Sequence, residues 1–552
     1  MGNGSWKIRK DGIKQILAMH GRDVLMQKRV FALIIFCYFI LTGSSFLRPL
    51  IIQKIIDHGL MEKKFYIISI FSVLLFLLAL IEGGTDIVLA KYFVAMKNKL
   101  VLNFHTKVFE RLIRTKLLFF SENNSAEIIN KISTDINNVS VVVDSSMMNT
   151  LTYILRIISG AIGLFVVSWK LTFVVMAVIP IKFVIIKKIS KKKEMTTEIW
   201  IKESANFSAW LGDMISGIQE IKLWGLYKSK ISELRKRQKK VLEQERKSVI
   251  LEVSNTSSDA LLEWLIISIL YGMGGYLVCK DSLSIGGLTA FISYSGYIIG
   301  PISCIFNIRF LFAKTKPSLQ RLRTLLNVEK EQSLAAMNTI PTFQKEIIFE
   351  GVTFAYGRKV VLDRVNFSIR RGEKVAIIGD NGSGKSTLIK LILRFILPQK
   401  GCVLMDGINI EEFNLEQYRK NFGVVTQDIY LFNDTLKNNI TLGKEIDEAV
   451  LERLCKRMEL QSLLQKVDMT HNGNLEGNAN NLSGGERQKI ALVRAIIKDA
   501  PILILDEATA NIDTKYSRFL HNVLMEDFSD KTILFVTHKK EHLRGVDRIF
   551  HI

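Results

Sequence analysis

Six long apolar segments constrain this chain more than any other feature of its sequence. A helix needs about 20 mostly apolar residues to cross the hydrocarbon core of a bilayer. Segments of that kind account for much of the 48% hydrophobic fraction of the chain. We predict membrane-spanning helices at residues 30–52, 66–90, 146–167, 171–189, 259–279 and 285–308. The chain is therefore predicted to be a multi-pass membrane protein.

Positive charge is concentrated between these segments. The net charge is +22, and Lys and Arg are dense in the two long connections, residues 91–145 and 190–258. The short connections at 53–65, 168–170 and 280–284 carry few of them. Because positive loops stay in the cytoplasm, both long connections and both termini are predicted to be cytoplasmic, in the plasma membrane. This distribution also argues against nucleic acid as a partner.

The segment before the first span and the cysteines carry weaker signals. Residues 1–28 place apolar side chains such as Trp6 and Ile13 among basic residues, which predicts an amphipathic helix at the membrane surface. No cleavable signal peptide is apparent.

The five cysteines lack metal-ligand spacing, so most are predicted to pack in apolar surroundings.

A phosphate-binding loop follows the membrane half. The stretch GDNGSGKST fits the pattern G-x-x-x-x-G-K-[ST], with a strand-like KVAIIG before it and a helical LIKLILRF after it. Glycines let backbone N–H groups surround phosphates, Lys385 is predicted to reach the β- and γ-phosphates, and Ser386 is predicted to bind Mg²⁺. The predicted nucleotide contacts are Gly379, Asp380, Asn381, Gly382, Ser383, Gly384, Lys385, Ser386 and Thr387.

The chain around this loop is predicted to be an α/β domain over residues 344–552. We expect strands near 347–355, 374–378, 422–426, 502–506 and 532–537, with helices between them. Residues 316–343 are interpreted as a linker and residues 29–315 as the membrane domain. The predicted fold is an all-α six-helix transmembrane domain followed by an α/β P-loop NTPase domain.

Two further motifs make the chain similar to a known family. Residues Leu482–Glu486 read LSGGE, and ILILDE begins twenty residues later at Ile502. With the six spans and the phosphate loop, they resemble the exporter-type half-transporters of the ABC superfamily. The resemblance implies that Asp506 binds Mg²⁺ and that Glu507 polarises the attacking water. It also implies that the signature closes on ATP held by another subunit, through Ser483, Gly484, Gly485 and Glu486.

The same resemblance implies roles for three single residues and two turns. Tyr356 in FAYG would stack on adenine, Gln427 in VVTQD would sense Mg²⁺ and the γ-phosphate, and His538 in FVTHK would contact the γ-phosphate. The cofactors implied are ATP and Mg²⁺. Two turns in the long connections, roughly Ser125–Asp135 and Leu211–Leu223, would be coupling helices, which dock on the nucleotide domains in this family. Surface helices without a docking role are the alternative.

The sequence departs from the family pattern at three places. ANID stands at Ala510–Asp513 where SALD is common, and HNGNLEGNANN precedes the signature. The chain also ends 14 residues after His538, where the family continues with further strands and a helix. The catalytic set of Glu507, Gln427 and His538 is complete without that continuation.

One phosphate loop and one signature per chain imply a dimer, because the family builds each ATP site from both. The intact Glu507 favours two identical chains with C₂ symmetry, and a heterodimer is the alternative. The implied function is ATP-driven efflux of a peptide, lipid or drug by alternating access. A lipid flippase and an ATP-gated channel or regulator are the alternative functions. Only about 30 residues precede the first span, so no N-terminal peptidase domain is expected.

Ionisable residues inside or beside the spans are weak candidates for a substrate path. Charge is costly in hydrocarbon, so these side chains are predicted to face the bundle interior or a watery cavity. The alternatives are mutual pairing, snorkelling near an interface, or a misplaced span boundary. The residues are Glu82, Asp86, Arg156, Asp259, Glu263 and Arg309.

Overall fold

The computed structural model divides the chain into two compact units. It describes residues 28–123, 125–301, 315–331, 342–380, 382–461, 463, 475, 482–508, 512–537 and 543–552. The membrane unit is built from the chain up to Leu112 and from Ala126–Val328, and the nucleotide unit from Ile113–Ser125 and Glu329–Ile552. The domain bounds predicted from the sequence stay predictions, as does the amphipathic helix at residues 1–28, most of which lies outside the described residues.

Helices make up most of the described part of the first 300 residues. They are α1 Lys28–Lys54, α2 Phe65–Leu112, α3 Leu117–Glu122, α4 Ser125–Ser140, α5 Ser145–Val167, α6 Trp169–Ser216, α7 Ile218–Leu223, α8 Tyr227–Cys279 and α9 Ile285–Ile299. Five helical stretches are long and apolar enough to cross a membrane, and they contain the first five predicted spans. The apolar α9 has 15 residues, and residues 302–314 lie outside the described part. The predicted fold class is confirmed.

Three helices run far beyond the predicted spans without a break. Helices α2, α6 and α8 have 48, 48 and 53 residues. The third span differs, because Asp144 begins a new helix: its carboxylate accepts the backbone N–H groups of Ser146 and Met147 at 2.8 and 3.3 Å. Helix α5 therefore begins at the third predicted span and is not a direct continuation of α4.

The two predicted turns also have different lengths from those expected. Helix α4 continues past Asp135 to Ser140. In the second turn, Leu211–Ser216 complete α6, and only Ile218–Leu223 form the separate helix α7 after Gly217. Whether either helix docks on a nucleotide domain stays a prediction.

Small residues allow α5 and α9 to approach closely. Tyr294 of α9 is completely buried, and its hydroxyl donates a hydrogen bond to the Phe46 carbonyl. A Cβ atom on Gly163 would lie 2.4–2.5 Å from the Tyr294 ring, and one on Gly160 would lie 3.0 Å from the Tyr294 carbonyl oxygen. Close helix packing through small residues is a common source of stability within membranes.

Two of the predicted intramembrane charges are neutralised by basic residues. Glu82 forms an ion pair with Arg48. Asp259 pairs with the ammonium of Lys182 at 2.8 Å, and the same ammonium donates to the Ile299 carbonyl at 2.5 Å. Glu82 and Asp259 are thus paired with basic residues outside the predicted set and not with members of it. Arg309 lies outside the described residues.

Two sheets organise the nucleotide unit. The strands are β1 Glu346–Tyr356, β2 Lys359–Arg370, β3 Lys374–Ile378, β4 Lys400–Met405, β5 Ile408–Asn409, β6 Phe422–Val425, β7 Ile502–Asp506, β8 Thr532–Val536 and β9 Arg548–His551. An antiparallel sheet has the order β2-β1-β4-β5, and a parallel sheet has the order β6-β7-β8-β3-β9. All five predicted strands are present, and β2, β4, β5 and β9 were not predicted.

The parallel sheet determines where the functional loops lie. Its strands β3, β7 and β8 are almost entirely buried apolar runs, as expected for a sheet covered on both faces. Parallel strands end at the same edge of a sheet, so the residues that follow them are brought to one side. The phosphate loop follows β3, Gln427 follows β6, and Glu507 follows β7.

The cysteines are only partly as predicted. Cys37 and Cys455 are buried, Cys402 is half-buried, and Cys279 is exposed. Within the described ranges, no group of His, Cys, Asp and Glu is arranged to bind a metal ion on its own. Cys304 lies outside the described residues.

We predict that Gly163→Ala destabilises the membrane unit by about 1–3 kcal/mol, because the added methyl group overlaps the buried Tyr294 ring. The measurement is the apparent melting temperature of the detergent-solubilised protein. Gly84→Ala on α2 is the matched control, since its Cβ would meet nothing within 4 Å. Equal melting temperatures for the two variants would contradict the packing described for α5 and α9.

Candidate nucleotide-binding site

The phosphate loop has a backbone conformation that favours glycine. It follows β3 and leads into helix α10, Lys385–Ile392. Gly382 and Gly384 have φ values of 85° and 114°, in the region that side chains rarely tolerate. A Cβ at Gly384 would also lie 2.7 Å from Leu362. Asn381 lies outside the described residues.

The polar side chains of the loop are arranged around its backbone. Lys385 is buried, and its ammonium donates to the carbonyls of Gly379 and Asp380 at 2.7 and 2.8 Å. The Ser383 hydroxyl is buried without a hydrogen-bond partner in the described structure. Ser386 is exposed on the first turn of α10, whereas Thr387 is buried. The Ser383 hydroxyl lies beside the backbone of the loop and lacks a hydrogen-bond partner, as expected of a loop that binds an oxyanion.

Asp506 ends β7 and is 8% exposed. Its pKa is raised to about 6, first by burial and then by the neighbouring charge of Glu507, while Lys385 acts in the opposite direction. Two adjacent carboxylates, one of them buried, form a site that a cation would stabilise. Carboxylate and hydroxyl oxygens are the ligands that Mg²⁺ prefers, so the donor set of Asp506 and Ser386 fits this ion.

Glu507 is held in an unusual conformation by its neighbours. Its φ is 49°, a region that costs a non-glycine residue free energy and often marks functional sites. Its N–H donates to the Val536 carbonyl at 2.9 Å, which joins it to the end of β8. The Gln427 amide donates to the Glu507 carboxylate at 3.1 Å. The fold therefore brings together two residues that lie 80 positions apart.

Two residues at this site were not predicted from the sequence. Gln488 is buried and donates its side-chain amide to the Glu507 carbonyl at 3.4 Å. Its signal was a polar residue on the buried face of the helix that follows LSGGE. Lys390 lies one turn after the phosphate loop, with its ammonium 6.0 Å from the centre of the Tyr356 ring. Tyr356 itself is half-buried and packs edge-on against Phe354, with ring centres 4.9 Å apart.

The signature residues form a helix start of their own. Ser483 caps helix α14, Gly484–Ile497, and its hydroxyl accepts the Glu486 N–H at 3.2 Å. In return, the Glu486 carboxylate accepts the Ser483 N–H at 2.7 Å, which completes a capping box. (Helices α11–α13 are Leu415–Tyr418, Leu436–Thr441 and Glu448–Arg457, and α15 is Thr514–Glu526.)

The signature lines a cavity of its own. Ser483, Gly484, Gly485 and Glu486 line an open cavity of 590 Å³ that also includes Asp513. Among the described residues, its lining includes none from the phosphate loop. The fold thus brings together four residues at one site: Gln427, Asp506, Glu507 and Lys385. The signature residues are not part of that site. His538 lies outside the described residues.

Comparison with known proteins gives consistent results for both halves of the chain. The model of the ABC transporter transmembrane region matches residues 31–302, and the model of the ABC transporter matches residues 362–510. An ATP-dependent lipid A-core flippase of Haemophilus influenzae is 28% identical over 521 residues, covering 91% of this chain and 86% of the relative. A protein of the same name from Cupriavidus metallidurans is 27% identical over 531 residues, covering 95% of this chain and 89% of the relative.

One solved structure supports the fold independently. A bacterial Atm1-family ABC exporter with ATP bound matches with a TM-score of 0.79, covering 96% of this chain and 94% of that one. At 19% identity this similarity concerns the fold alone. The two family matches lie in one chain in the order expected of a half-transporter. The chain therefore belongs to the ABC transporters, as an exporter-type half-transporter that couples ATP hydrolysis to transport across a membrane.

Proposed function

We propose that two identical copies of this chain move a lipid or lipid-like amphiphile across the plasma membrane, driven by ATP held between them. The convergence of Lys385, Asp506, Glu507 and Gln427 at one sheet edge, apart from the signature cavity, carries the proposal. The names of the curated relatives, which are lipid A-core flippases, support a lipid as the cargo.

The phosphate loop and the strand ends would hold the nucleotide. Lys385 would exchange the carbonyls of Gly379 and Asp380 for phosphate oxygens, which are stronger partners for an ammonium. Ser386, Asp506 and Gln427 would hold Mg²⁺. When bound, Mg²⁺ supplies positive charge that neutralises the β- and γ-phosphates. Tyr356 would stack on adenine, and Asn381 and His538 stay predicted contacts.

Glu507 would orient the attacking water. Its left-handed backbone, its N–H bond to Val536 and the hydrogen bond from Gln427 fix the carboxylate before nucleotide arrives. Fixed positioning of the base is what in-line attack requires. Because Gln427 would touch both Mg²⁺ and Glu507, it would connect nucleotide binding to the positioning of the base.

The signature would complete the site from the other copy. The N–H groups of Gly484 and Gly485 lie at the start of a 14-residue helix, where an anion is stabilised. Glu486 would contribute indirectly, since its carboxylate closes the cap and would repel a phosphate. A C₂ dimer places each signature against the phosphate loop of its partner and generates two equivalent sites.

Closure of the two nucleotide domains would then reverse the access of the membrane passage. Long rigid helices such as α2, α6 and α8 are suited to transmit a rigid-body motion. The intact pair of Glu507 and Gln427 favours repeated turnover over an ATP-gated channel. Peptides and drugs remain alternative cargoes, and a different half-transporter remains an alternative partner.

We expect Glu507→Gln to lower steady ATP hydrolysis by about a hundredfold or more, because an amide cannot accept the proton of the attacking water. ATP binding should be retained. The measurement is phosphate release and nucleotide binding by the purified protein in lipid vesicles. Glu526→Gln, an exposed residue of the same domain, should behave as the wild type. Full turnover by Glu507→Gln would refute the role proposed for Glu507.

A composite site makes two inactive variants complementary. Lys385→Ala removes the phosphate-loop ammonium. Ser483→Asp keeps a good helix cap but places a negative charge against the phosphates. Neither variant alone should hydrolyse ATP. A purified mixed dimer should regain up to about half of the wild-type rate, because one of its two sites is intact.

The mixed dimer is isolated with two different affinity tags, and its ATP hydrolysis is compared with that of each parent variant. A mixed dimer as inactive as both parents would show that phosphate loop and signature act within one chain, contrary to the proposal.

A further inference from the structure

A cavity lined by both polar and apolar side chains lies within the membrane unit between α2 and α5. Its volume is 360 Å³, and its lining includes Asp86 on α2 with Asn149, Thr152, Tyr153 and Arg156 on α5. Cavities of about 300–1,000 Å³ commonly hold small ligands. The space is suited to a headgroup rather than to a whole lipid.

Asp86 and Arg156 contribute opposite charges to this cavity without pairing. Within the described part of the chain, neither side chain forms an ion pair with a neighbour. Glu82, one turn earlier on α2, is instead neutralised by Arg48. Charges inside a membrane persist where they pair or face a watery or liganded space. The charges of Asp86 and Arg156 are therefore available to a group that enters the cavity.

Neighbouring hydroxyl groups extend this polar environment. Tyr38 of α1 donates to the Met148 carbonyl at 3.2 Å and lies beside Thr152 and Asp86. Hydroxyl groups donate or accept hydrogen bonds as a ligand requires. A charged ligand group would thus meet neutral hydrogen-bonding partners as well as an opposite charge.

The position of Asp86 along its helix places one end of the cavity near a membrane surface. Asp86 lies 21 residues after Phe65, about 32 Å along α2. The hydrocarbon core is about 30 Å thick. With the orientation predicted from the positive loops, Asp86 lies in the cytoplasmic half of the bilayer. Arg156 lies deeper, 11 residues or about 16 Å from the start of α5.

We infer that this cavity binds the headgroup of a zwitterionic amphiphile, with a primary ammonium at Asp86 and a phosphate at Arg156. The inference rests on the proposed function and names the chemical class of its cargo. A phosphoethanolamine group carries both charges within one small unit, with one oxygen and two carbons between the phosphorus and the nitrogen. A purely anionic headgroup would leave Asp86 unpaired and repelled, and a purely cationic one would do the same to Arg156.

The test uses the full chain in vesicles that contain phosphatidylethanolamine, phosphatidylglycerol and a trimethylammonium lipid in equal amounts. Lipid retained by the protein is measured by native mass spectrometry, and ATP-driven movement by quenching of fluorescent analogues. The wild type should retain phosphatidylethanolamine about tenfold over either competitor, the ratio that corresponds to about 1.4 kcal/mol.

Substitutions at the two charges should shift this preference in opposite directions. Asp86→Asn should favour phosphatidylglycerol, because only the positive charge remains, and Arg156→Gln should favour the trimethylammonium lipid. A loss of structure would not produce opposite shifts. Glu110→Gln, exposed on the same helix as Asp86, and Lys170→Gln, exposed near α5, are matched controls and should keep the wild-type preference.

Equal retention of the three lipids by the wild type, or a shift of both variants in the same direction, would overturn the headgroup site. Because retention is read without turnover, it is separable from the proposed function. A protein that selects phosphatidylethanolamine but moves no lipid with ATP would support the site and contradict lipid transport.

Discussion

The electrostatics of Asp506 determine how the nucleotide unit can work. This carboxylate is buried at the end of β7 beside a second carboxylate, and its pKa is raised to about 6 mainly by burial. Lys385 supplies the opposing positive charge, but its ammonium is bound to two carbonyls of its own loop. The arrangement is balanced only when phosphate and a cation enter together. Binding energy would thereby be directed to the Mg²⁺ complex of a nucleotide.

The parallel sheet positions the charged and polar residues of this site. Phosphate loop, Gln427 and Glu507 follow three strands that end at one edge, so short loops position all of them. Glu507 is additionally tied to β8 through its backbone and to α14 through Gln488. Helix α14 begins with the signature. Glu507, the proposed base of one site, therefore contacts the helix whose N-terminus would bind the nucleotide of the partner's site. The two ATP sites of a dimer would then be coupled through a single hydrogen-bonded path.

Much of this account could be predicted from the sequence, because local patterns carry it. Apolar length identified the spans, and glycine spacing with LSGGE and ILILDE identified the ATPase domain. The sequence could not reveal contacts between distant residues, such as Gln488 with Glu507 or Lys182 with Asp259. Strand β2 was missed because Asp363 and Arg364 interrupt its apolar alternation, and β9 because its four residues depend on pairing with β3. The sequence also could not show that Asp86 and Arg156 line the same cavity, because that depends on how α2 and α5 pack.

The central claim is that nucleotide is held between two copies, and disulfide trapping tests it most directly. One copy carries Ser383→Cys and the other Ser483→Cys, each with Glu507→Gln and with the native cysteines replaced. The account predicts a crosslinked dimer of the two differently tagged chains when ATP and Mg²⁺ are present, and little without them. Absence of that crosslink with nucleotide bound, or its formation regardless of nucleotide, would contradict the account.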